Sequence, residues 1–225
     1  IEASLILAQK WAERRRKLLL IAPATLRKQW SQELEEKFSL PSRIIEAKSF
    51  NQMIKEGCGN PFDIENATGE AAICICSYEF ASRKEHELAR IPWDLVVMDE
   101  AHKLRNIYKS DGAKTAKKLS SALSGRKKIL LSATPLQNSI LELYGLVSVI
   151  DPHFFGDLAS FKARYSRQNI DDAELALLRV RLNKICNRTL RRQVQQEGGI
   201  SFTRRHSITE DFRPTDEEEA LYKQV

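Results

Sequence analysis

The sequence predicts an α/β fold in which helices cover both faces of a parallel sheet. Short apolar runs alternate with longer amphipathic segments, as strands and crossover helices do in such folds. The runs are almost continuously hydrophobic, which is typical of strands buried on both faces. The predicted strands are Leu18–Ala22, Arg43–Glu46, Ala72–Cys76, Asp94–Met98 and Lys128–Leu131.

Helical spacing of apolar residues fills the intervals between these strands. Leu26, Trp30, Leu34 and Phe38 recur every four residues, and a second helical pattern lies within Asp111–Ser124. These segments have the length that right-handed crossovers between parallel strands require.

The pattern changes after Pro135. It is helical from Ser139 to about Val194, with Asp171 and Asp172 at the start of its longest helix, and a last strand is expected at His206–Phe212. We therefore expect a lobe core over residues 1–138, a helical protrusion over 139–205 and a closing strand with its following segment over 206–225.

Composition limits the class of protein. The 225 residues carry 36 Lys and Arg against 30 Asp and Glu, a net charge of +6, and 42% of them are hydrophobic. This balance is typical of a folded globular chain and not of a disordered or collagen-like one. The longest apolar run, Leu18–Ala22, is far shorter than the roughly 20 residues of a membrane-spanning helix. No charged-then-apolar leader opens the chain, so we expect neither a signal peptide nor a membrane partner.

The four cysteines contain no C-x-x-C pair, which argues against a zinc site. Cys74 and Cys76 lie in a predicted strand, where buried thiols are the simpler interpretation. Free buried thiols favour a reducing compartment, so we expect a cytoplasmic protein, associated with the nucleoid if it is bacterial.

Two adjacent carboxylates follow the fourth predicted strand. In an open parallel sheet, ligands bind beyond the carboxyl ends of the strands. Asp99 is placed there to hold Mg²⁺ through water, and Glu100 to orient and deprotonate a water that attacks a γ-phosphate. The alternative is that both acids cap the helix that follows. The whole strand and His102 favour the catalytic interpretation.

Two hydroxyl groups follow the next strand. Ser132 and Thr134 are two residues apart and face the same side of an extended segment, so they can relay hydrogen bonds between the acid pair and the cleft. For either hydroxyl alone, an ordinary turn before Pro135 is an equally good explanation.

These motifs together resemble the first motor lobe of the superfamily-two helicase-like ATPases, specifically the Swi/Snf-type double-stranded DNA translocases. Asp99-Glu100-Ala101-His102 is similar to the Walker B (DEAH) motif, and Ser132-Ala133-Thr134 to the motif that links hydrolysis to movement. The extension Pro135-Leu136-Gln137-Asn138 points to the Swi/Snf branch and adds Gln137 to the coupling group. The resemblance implies a RecA-like lobe that uses ATP and Mg²⁺.

The resemblance also implies contacts with the phosphate backbone of duplex DNA. The segment Ile21–Leu26 with Gln29, Trp30 and Glu33 looks like the first DNA-tracking motif, and Ile75–Glu79 like the second. The residues expected to contact DNA are Pro23, Ala24, Thr25, Gln29, Ser77, Tyr78, Arg191 and Arg192. Other basic residues on the later helices fit either a solvated surface or a phosphate-facing one.

One part of the family pattern does not occur in this sequence. The resemblance implies a phosphate loop ending in Gly-Lys-Thr directly before Ile1, and no G-x-x-x-x-G-K-[ST] is present. It also implies a second motor lobe as the partner of this one. We therefore expect the chain alone to bind ATP weakly and not to hydrolyse it.

Two other functions remain open on the sequence. A strand-separating helicase would use the same scaffold, although Pro135–Asn138 argues against it. A lobe used only to dock DNA or protein would not need the acid pair. The sequence upstream of Ile1 would distinguish a motor from a docking module.

Overall fold

Five strands form a parallel sheet in the part of the chain that the computed structural model describes, which is residues 1–110, 113–134, 139–166, 171–187, 208–210, 215, 218 and 222. They are β1 (Leu18–Ala22), β2 (Ser42–Ile44), β3 (Ile73–Ser77), β4 (Leu95–Met98) and β5 (Lys128–Leu130). Their order is β2-β3-β1-β4-β5, and all four pairs are parallel. The predicted fold class is confirmed.

The observed strands match the predicted ones closely. The bounds of β1 agree at both ends, and those of the other four differ by one or two residues at one or both ends. The ends of a strand are set by its hydrogen bonds to neighbouring strands, and an apolar run does not specify these bonds. The strand predicted at His206–Phe212 lies mostly outside the described residues.

Ten α-helices lie in the described part of the chain. They are α1 (Glu2–Ala12), α2 (Arg27–Phe38), α3 (Ala47–Lys55), α4 (Ile64–Thr68), α5 (Tyr78–Arg83), α6 (Glu85–Ala89), α7 (Lys114–Ala122), α8 (Ile140–Ile150), α9 (Leu158–Tyr165) and α10 (Asp172–Leu182). A 3-10 helix, Ala101–Leu104, follows β4. The helix predicted to begin at Asp171 and Asp172 is α10, which has 11 residues, as many as α8, so it is not longer than every other described helix of that region.

The sheet is buried on both faces, as its continuous apolar strands predict. Alternate strand residues enter two separate cores. One core joins Leu19, Ile21, Val96 and Met98 to side chains of α3, α5 and α7. The other joins the intervening strand residues to side chains of α1 and α2, including Leu7 and Leu34. The central strands β1, β3 and β4 are therefore fixed from above and below.

The chain divides into two compact units, Ile1–Asp171 and Asp172–Val225. The first contains the sheet and also α8 and α9, which pack on each other through the aromatic rings of Tyr144, Phe155 and Phe161. The second contains α10. The predicted division at residues 138 and 205 stays a prediction.

Candidate active site

Asp99 is the first residue after β4, and four hydrogen bonds hold it, one of them from Tyr78 to its backbone carbonyl. Its backbone N–H donates to the carbonyl of Ile21 at 2.8 Å, which extends the pairing of β4 with β1. Its carboxylate accepts the indole N–H of Trp30 at Oδ2, 2.7 Å away, and the backbone N–H of Glu100 at Oδ1, 2.9 Å away. The position and the orientation of this carboxylate are therefore both fixed before any ligand binds.

Glu100 adopts a left-handed backbone conformation, with φ 51° and ψ 45°. A residue with a Cβ rarely adopts this conformation, and such strain concentrates at functional sites. The turn ends the strand and starts the 3-10 helix at Ala101. Because of it, the two neighbouring acids do not follow the regular alternation of a strand.

His102 lies beside Glu100. Its Nδ1 is shielded from solvent and lies 3.0 Å from Oε2 of Glu100, without the alignment of a hydrogen bond to any described residue. The predicted acid pair and histidine are thus brought together, with the imidazole next to the second carboxylate.

A cavity of about 200 Å³ opens at Asp99. Its lining includes Trp30, Gln29 and Glu33 from α2, and Leu26 and Ile1. The Gln29 side chain donates to Glu33 at 3.1 Å, and this hydrogen bond, with the charge of Lys37, lowers the pKa of the Glu33 carboxyl. Of the two carboxylates at this cavity, Glu33 is paired with Lys37 at 3.3 Å, whereas Asp99 has no basic partner among the described residues and is the one that suits a cation.

The donor set at Asp99 fits Mg²⁺ in one particular way. Mg²⁺ keeps most of its waters and takes one or two carboxylates together with substrate phosphates. Asp99 offers one fixed carboxylate, and the described residues contain no group of three or more His, Cys, Asp or Glu that could hold a metal by themselves. The residues fit an Mg²⁺ ion whose other ligands are phosphate oxygens and water. The described residues alone do not form a complete metal site.

The segment with the two hydroxyl groups runs directly beside the acid pair. The backbone N–H of Leu131 donates to the carbonyl of Met98 at 2.9 Å, and the N–H of Ala101 donates to the carbonyl of Leu131 at 2.8 Å. Beyond it, the Ser132 hydroxyl accepts the backbone N–H of Thr134 at 3.2 Å. The Thr134 side chain is exposed. Gln137 lies outside the described residues.

Ser77 and Tyr78, predicted to contact DNA, are both buried. The Ser77 hydroxyl caps α5 by accepting the N–H of Phe80 at 3.2 Å. The Tyr78 hydroxyl donates to the backbone carbonyl of Asp99 at 2.7 Å. Burial, together with the charges of Asp99 and Glu100, raises the pKa of the Tyr78 phenol well above its ordinary value. Both hydroxyls thus have partners inside the protein, and the one on Tyr78 supports the acid pair.

The other predicted DNA contacts separate into two places. Ala24 and Thr25 line a second cavity, of about 420 Å³, with Arg27, Lys28 and residues that follow β2. Pro23 immediately precedes Ala24. Gln29 lines the cavity at Asp99 instead. Arg191 and Arg192 lie outside the described residues.

Sequence reasoning missed three side chains of these sites. Trp30 was expected in the first DNA-tracking motif, yet its indole N–H binds Asp99. An indole N–H on a partly buried face needs a partner, and that need was the available signal. Arg27 and Lys28 line the second cavity, and their basic side chains beside Thr25 were visible in the sequence.

Comparison with known proteins decides the family. A model of the SNF2-related domain matches residues 3–225 of this chain. The chain belongs to the SNF2-related family. The resemblance read from the motifs is therefore confirmed.

SNF2-related relatives occur in bacteria and in animals. A Bacillus subtilis protein, described as the uncharacterized ATP-dependent helicase YqhH, is 30% identical over all of this chain and 36% of its own length. The RNA polymerase-associated protein RapA of Cronobacter sakazakii is 30% identical over 79% of the chain and 18% of its own length. Mouse RAD54B, a DNA repair and recombination protein, is 28% identical over 71% of the chain and 16% of its own length. The chain thus spans about a third or less of the length of these relatives.

A solved structure shares the fold. The Sulfolobus solfataricus SWI2/SNF2 ATPase core in complex with dsDNA superimposes with a TM-score of 0.64 over 86% of this chain and 37% of its own, at 21% identity. The RecA-like architecture expected from the sequence is therefore confirmed. Among the described residues, no helix has the length and apolar character that crossing a membrane requires.

Tyr78→Phe tests whether the phenol supports the acid pair. The substitution removes the hydrogen bond to Asp99 and leaves a buried carbonyl without its donor, so unfolding free energy should fall by about 1–3 kcal/mol at neutral pH. Urea unfolding measures this loss. Tyr108→Phe, at a half-buried tyrosine whose hydroxyl has no hydrogen-bond partner among the described residues, is the matched control.

The stability of the wild type and of Tyr78→Phe, measured as a function of pH, gives a second test. The raised pKa of Tyr78 means that its phenol stays neutral when folded and ionises when unfolded above about pH 10. The wild type should therefore lose this contribution as the pH rises past that value, and the stability gap to Tyr78→Phe should narrow. A gap that stays constant across this range would contradict the buried hydrogen bond.

Proposed function

We propose that this chain provides the first motor lobe of an ATP-dependent double-stranded DNA translocase, which couples ATP hydrolysis to movement along duplex DNA. The single observation that carries the proposal is the acid pair at the end of β4. Trp30 and the Glu100 amide fix the carboxylate of Asp99, and a left-handed turn separates Glu100 from it. Helix capping alone does not need such strain.

The proposed chemistry divides between the two acids. Asp99 would hold Mg²⁺ through a water ligand, and the ion would supply charge neutralisation for the phosphates when bound. Glu100 orients the attacking water and accepts its proton at a carboxylate oxygen. His102, whose Nδ1 lies 3.0 Å from that carboxylate, belongs with Ser132 and Thr134 to the proposed coupling group. Ser132 and Thr134, with Gln137, pass the state of this site to the rest of the motor.

The remainder of the ATP site belongs to parts of the protein beyond these residues. The relatives are about three or more times longer than this chain, and the sequence here contains no G-x-x-x-x-G-K-[ST] loop. We assign the phosphate loop and the second motor lobe to the longer protein. By itself, the chain is expected to bind Mg-ATP weakly and to be inactive, because phosphoryl transfer depends on positioning.

Duplex DNA is the proposed partner at the second cavity. The N-terminus of α2 has no side-chain cap, so its first backbone N–H groups and its dipole favour an anion. Arg27 and Lys28 add positive charge there beside Thr25. Arg27 is paired with Glu46 at 3.3 Å, whereas Lys28 is exposed and has no acidic partner among the described residues. Arg191 and Arg192 remain proposed contacts on the family motif.

A strand-separating helicase is the second candidate, because the Bacillus subtilis relative is described as a helicase. Both functions would use the same acid pair. A translocase displaces a third strand from duplex DNA and leaves the duplex paired, whereas a helicase separates the duplex itself. A strand-displacement assay on the longer protein distinguishes the two.

Glu100→Gln tests the proposed base. The amide keeps the shape of the side chain but cannot accept a proton, so DNA-stimulated ATP turnover of the longer protein should fall by about 10²–10⁴. Nucleotide binding should persist. Glu70→Gln, at an exposed acid between α4 and β3, is the control and should retain turnover. Near-normal turnover of Glu100→Gln would show that Glu100 is only a helix cap and not the base.

Lys28→Ala tests the DNA contact on the chain itself. Binding of a short duplex should weaken similarly for every sequence, because a phosphate contact carries no base information. The log–log slope of affinity against salt should become shallower by about 0.9, the value for one neutralised phosphate. Lys55→Ala, exposed on α3, is the matched control. An unchanged slope, or a loss of affinity confined to one DNA sequence, would show that Lys28 does not contact DNA phosphates.

A further inference from the structure

Helix α8 packs unusually closely on the chain that follows the acid pair. A methyl group at Gly145 would overlap the carbonyl oxygen of Arg105 and would lie 2.9 Å from its carbonyl carbon. It would also lie 3.2 Å from Cδ1 of the Tyr108 ring. Only glycine allows the helix backbone to come this near. Arg105 is the residue directly after the 3-10 helix that Glu100 starts.

A buried charge pair reinforces the same contact. The carboxylate of Glu142, on α8 three residues before Gly145, is 5% exposed and lies 3.6 Å from Nε of Arg105. Neutralising Glu142 would weaken the attraction that holds the Arg105 side chain against α8. Burial and the charge of Glu142 together raise the pKa of the Tyr108 phenol, which agrees with the close approach of these groups.

Helix α8 is also the helix that follows the two candidate coupling hydroxyls. It begins six residues after Thr134, and the Ser139 hydroxyl caps it by accepting the N–H of Leu141 at 3.2 Å. The segment 99–105 therefore contacts the chain on both sides of Thr134. One contact is the hydrogen bond from Ala101 to Leu131, and the other is that of Arg105 with α8.

We propose that Glu142 and Gly145 are positioning residues that hold Arg105 against α8, so that the acid-pair segment and the Ser132–Thr134 segment move as one body. They touch no reacting atom and act through Arg105. The coupling role rests on the proposed ATP-driven function. The mechanical connection rests on the packing alone.

Gly145→Ala tests the connection on the chain itself. Alanine is the better helix former, so in open space this change would stabilise a helix. At Gly145 the new methyl group must push Arg105 away. Amide hydrogen exchange at Ala101 and Arg105 should become faster by about tenfold or more, while exchange at Val96 and Val97 in β4 stays unchanged. Gly59→Ala is the matched control, because a methyl group there meets no atom within 4 Å.

Glu142→Gln is the second variant and introduces no methyl group, so it tests the connection even if Gly145→Ala fails to fold. It should accelerate exchange at the same two amides. Unchanged exchange at Ala101 and Arg105 in folded Glu142→Gln would overturn the proposed connection.

The coupling role is tested in the longer protein. In both variants the ATP hydrolysed per displaced third strand should rise about fivefold or more over Gly59→Ala, because hydrolysis then proceeds with less movement. A change in the folded fraction lowers both activities together and leaves this ratio unchanged. An unchanged ratio would therefore overturn the coupling role. A wild-type protein without DNA-stimulated hydrolysis would instead refute the proposed function, and the exchange results would still decide the connection.

Discussion

The parallel pairing of β4 with β1 is the constraint on which the candidate site depends. Leu18–Ile21 lie in register with Leu95–Met98, and one further hydrogen bond joins the Asp99 amide to Ile21. Both strands are buried on both faces, so the register cannot slip without moving apolar side chains out of two cores. Asp99 is consequently delivered to a fixed point at the carboxyl edge of the sheet, within reach of the Trp30 indole.

Helix α2 connects the two cavities of that edge. Its N-terminus, with Arg27 and Lys28, lines one of them, and Gln29, Trp30 and Glu33 line the other. One cavity is basic at an uncapped helix N-terminus, and the other is acidic around Asp99. A displacement of α2 by a bound phosphate at its start would reach the carboxylate of Asp99 through Trp30. The proposed DNA contact and the proposed ATP site thus share one rigid element.

The sheet could be predicted from the sequence because short, continuous apolar runs in an α/β chain are typical of strands buried on both faces. The proximity of the Asp99–Glu100 pair to the Ser132–Thr134 segment followed from the rule that ligands bind beyond the common carboxyl edge of parallel strands. The order of the strands was not predicted. Which cavity each side chain of α2 lines could not be predicted in the same way. Adjacent helix residues point about 100° apart, so Lys28 and Gln29 line different cavities although they are neighbours.

Burial was the second property that the motifs did not reveal. Ser77 and Tyr78 occupy a segment that resembles a DNA-tracking motif, but Ser77 ends the central strand β3 and Tyr78 begins α5, and both are buried. Their hydroxyls then bind the nearest backbone groups, the Phe80 amide and the Asp99 carbonyl. The close packing of Gly145 on Arg105 likewise has no signal in a single sequence, because it depends on where α8 crosses the turn.

The most direct test of the central claim is to locate the metal of bound nucleotide relative to Asp99. In the longer protein with an ATP analogue, Mn²⁺ replaces Mg²⁺, and its paramagnetism broadens nearby NMR signals with a steep dependence on distance. The chain has three tryptophans, and the indole N–H of Trp30 donates to Asp99 whereas that of Trp93 donates to Leu88. The account predicts strong broadening of the Trp30 indole signal and much weaker broadening of the Trp93 and Trp11 signals. Equal broadening of all three, or none at Trp30, would contradict a metal site at Asp99.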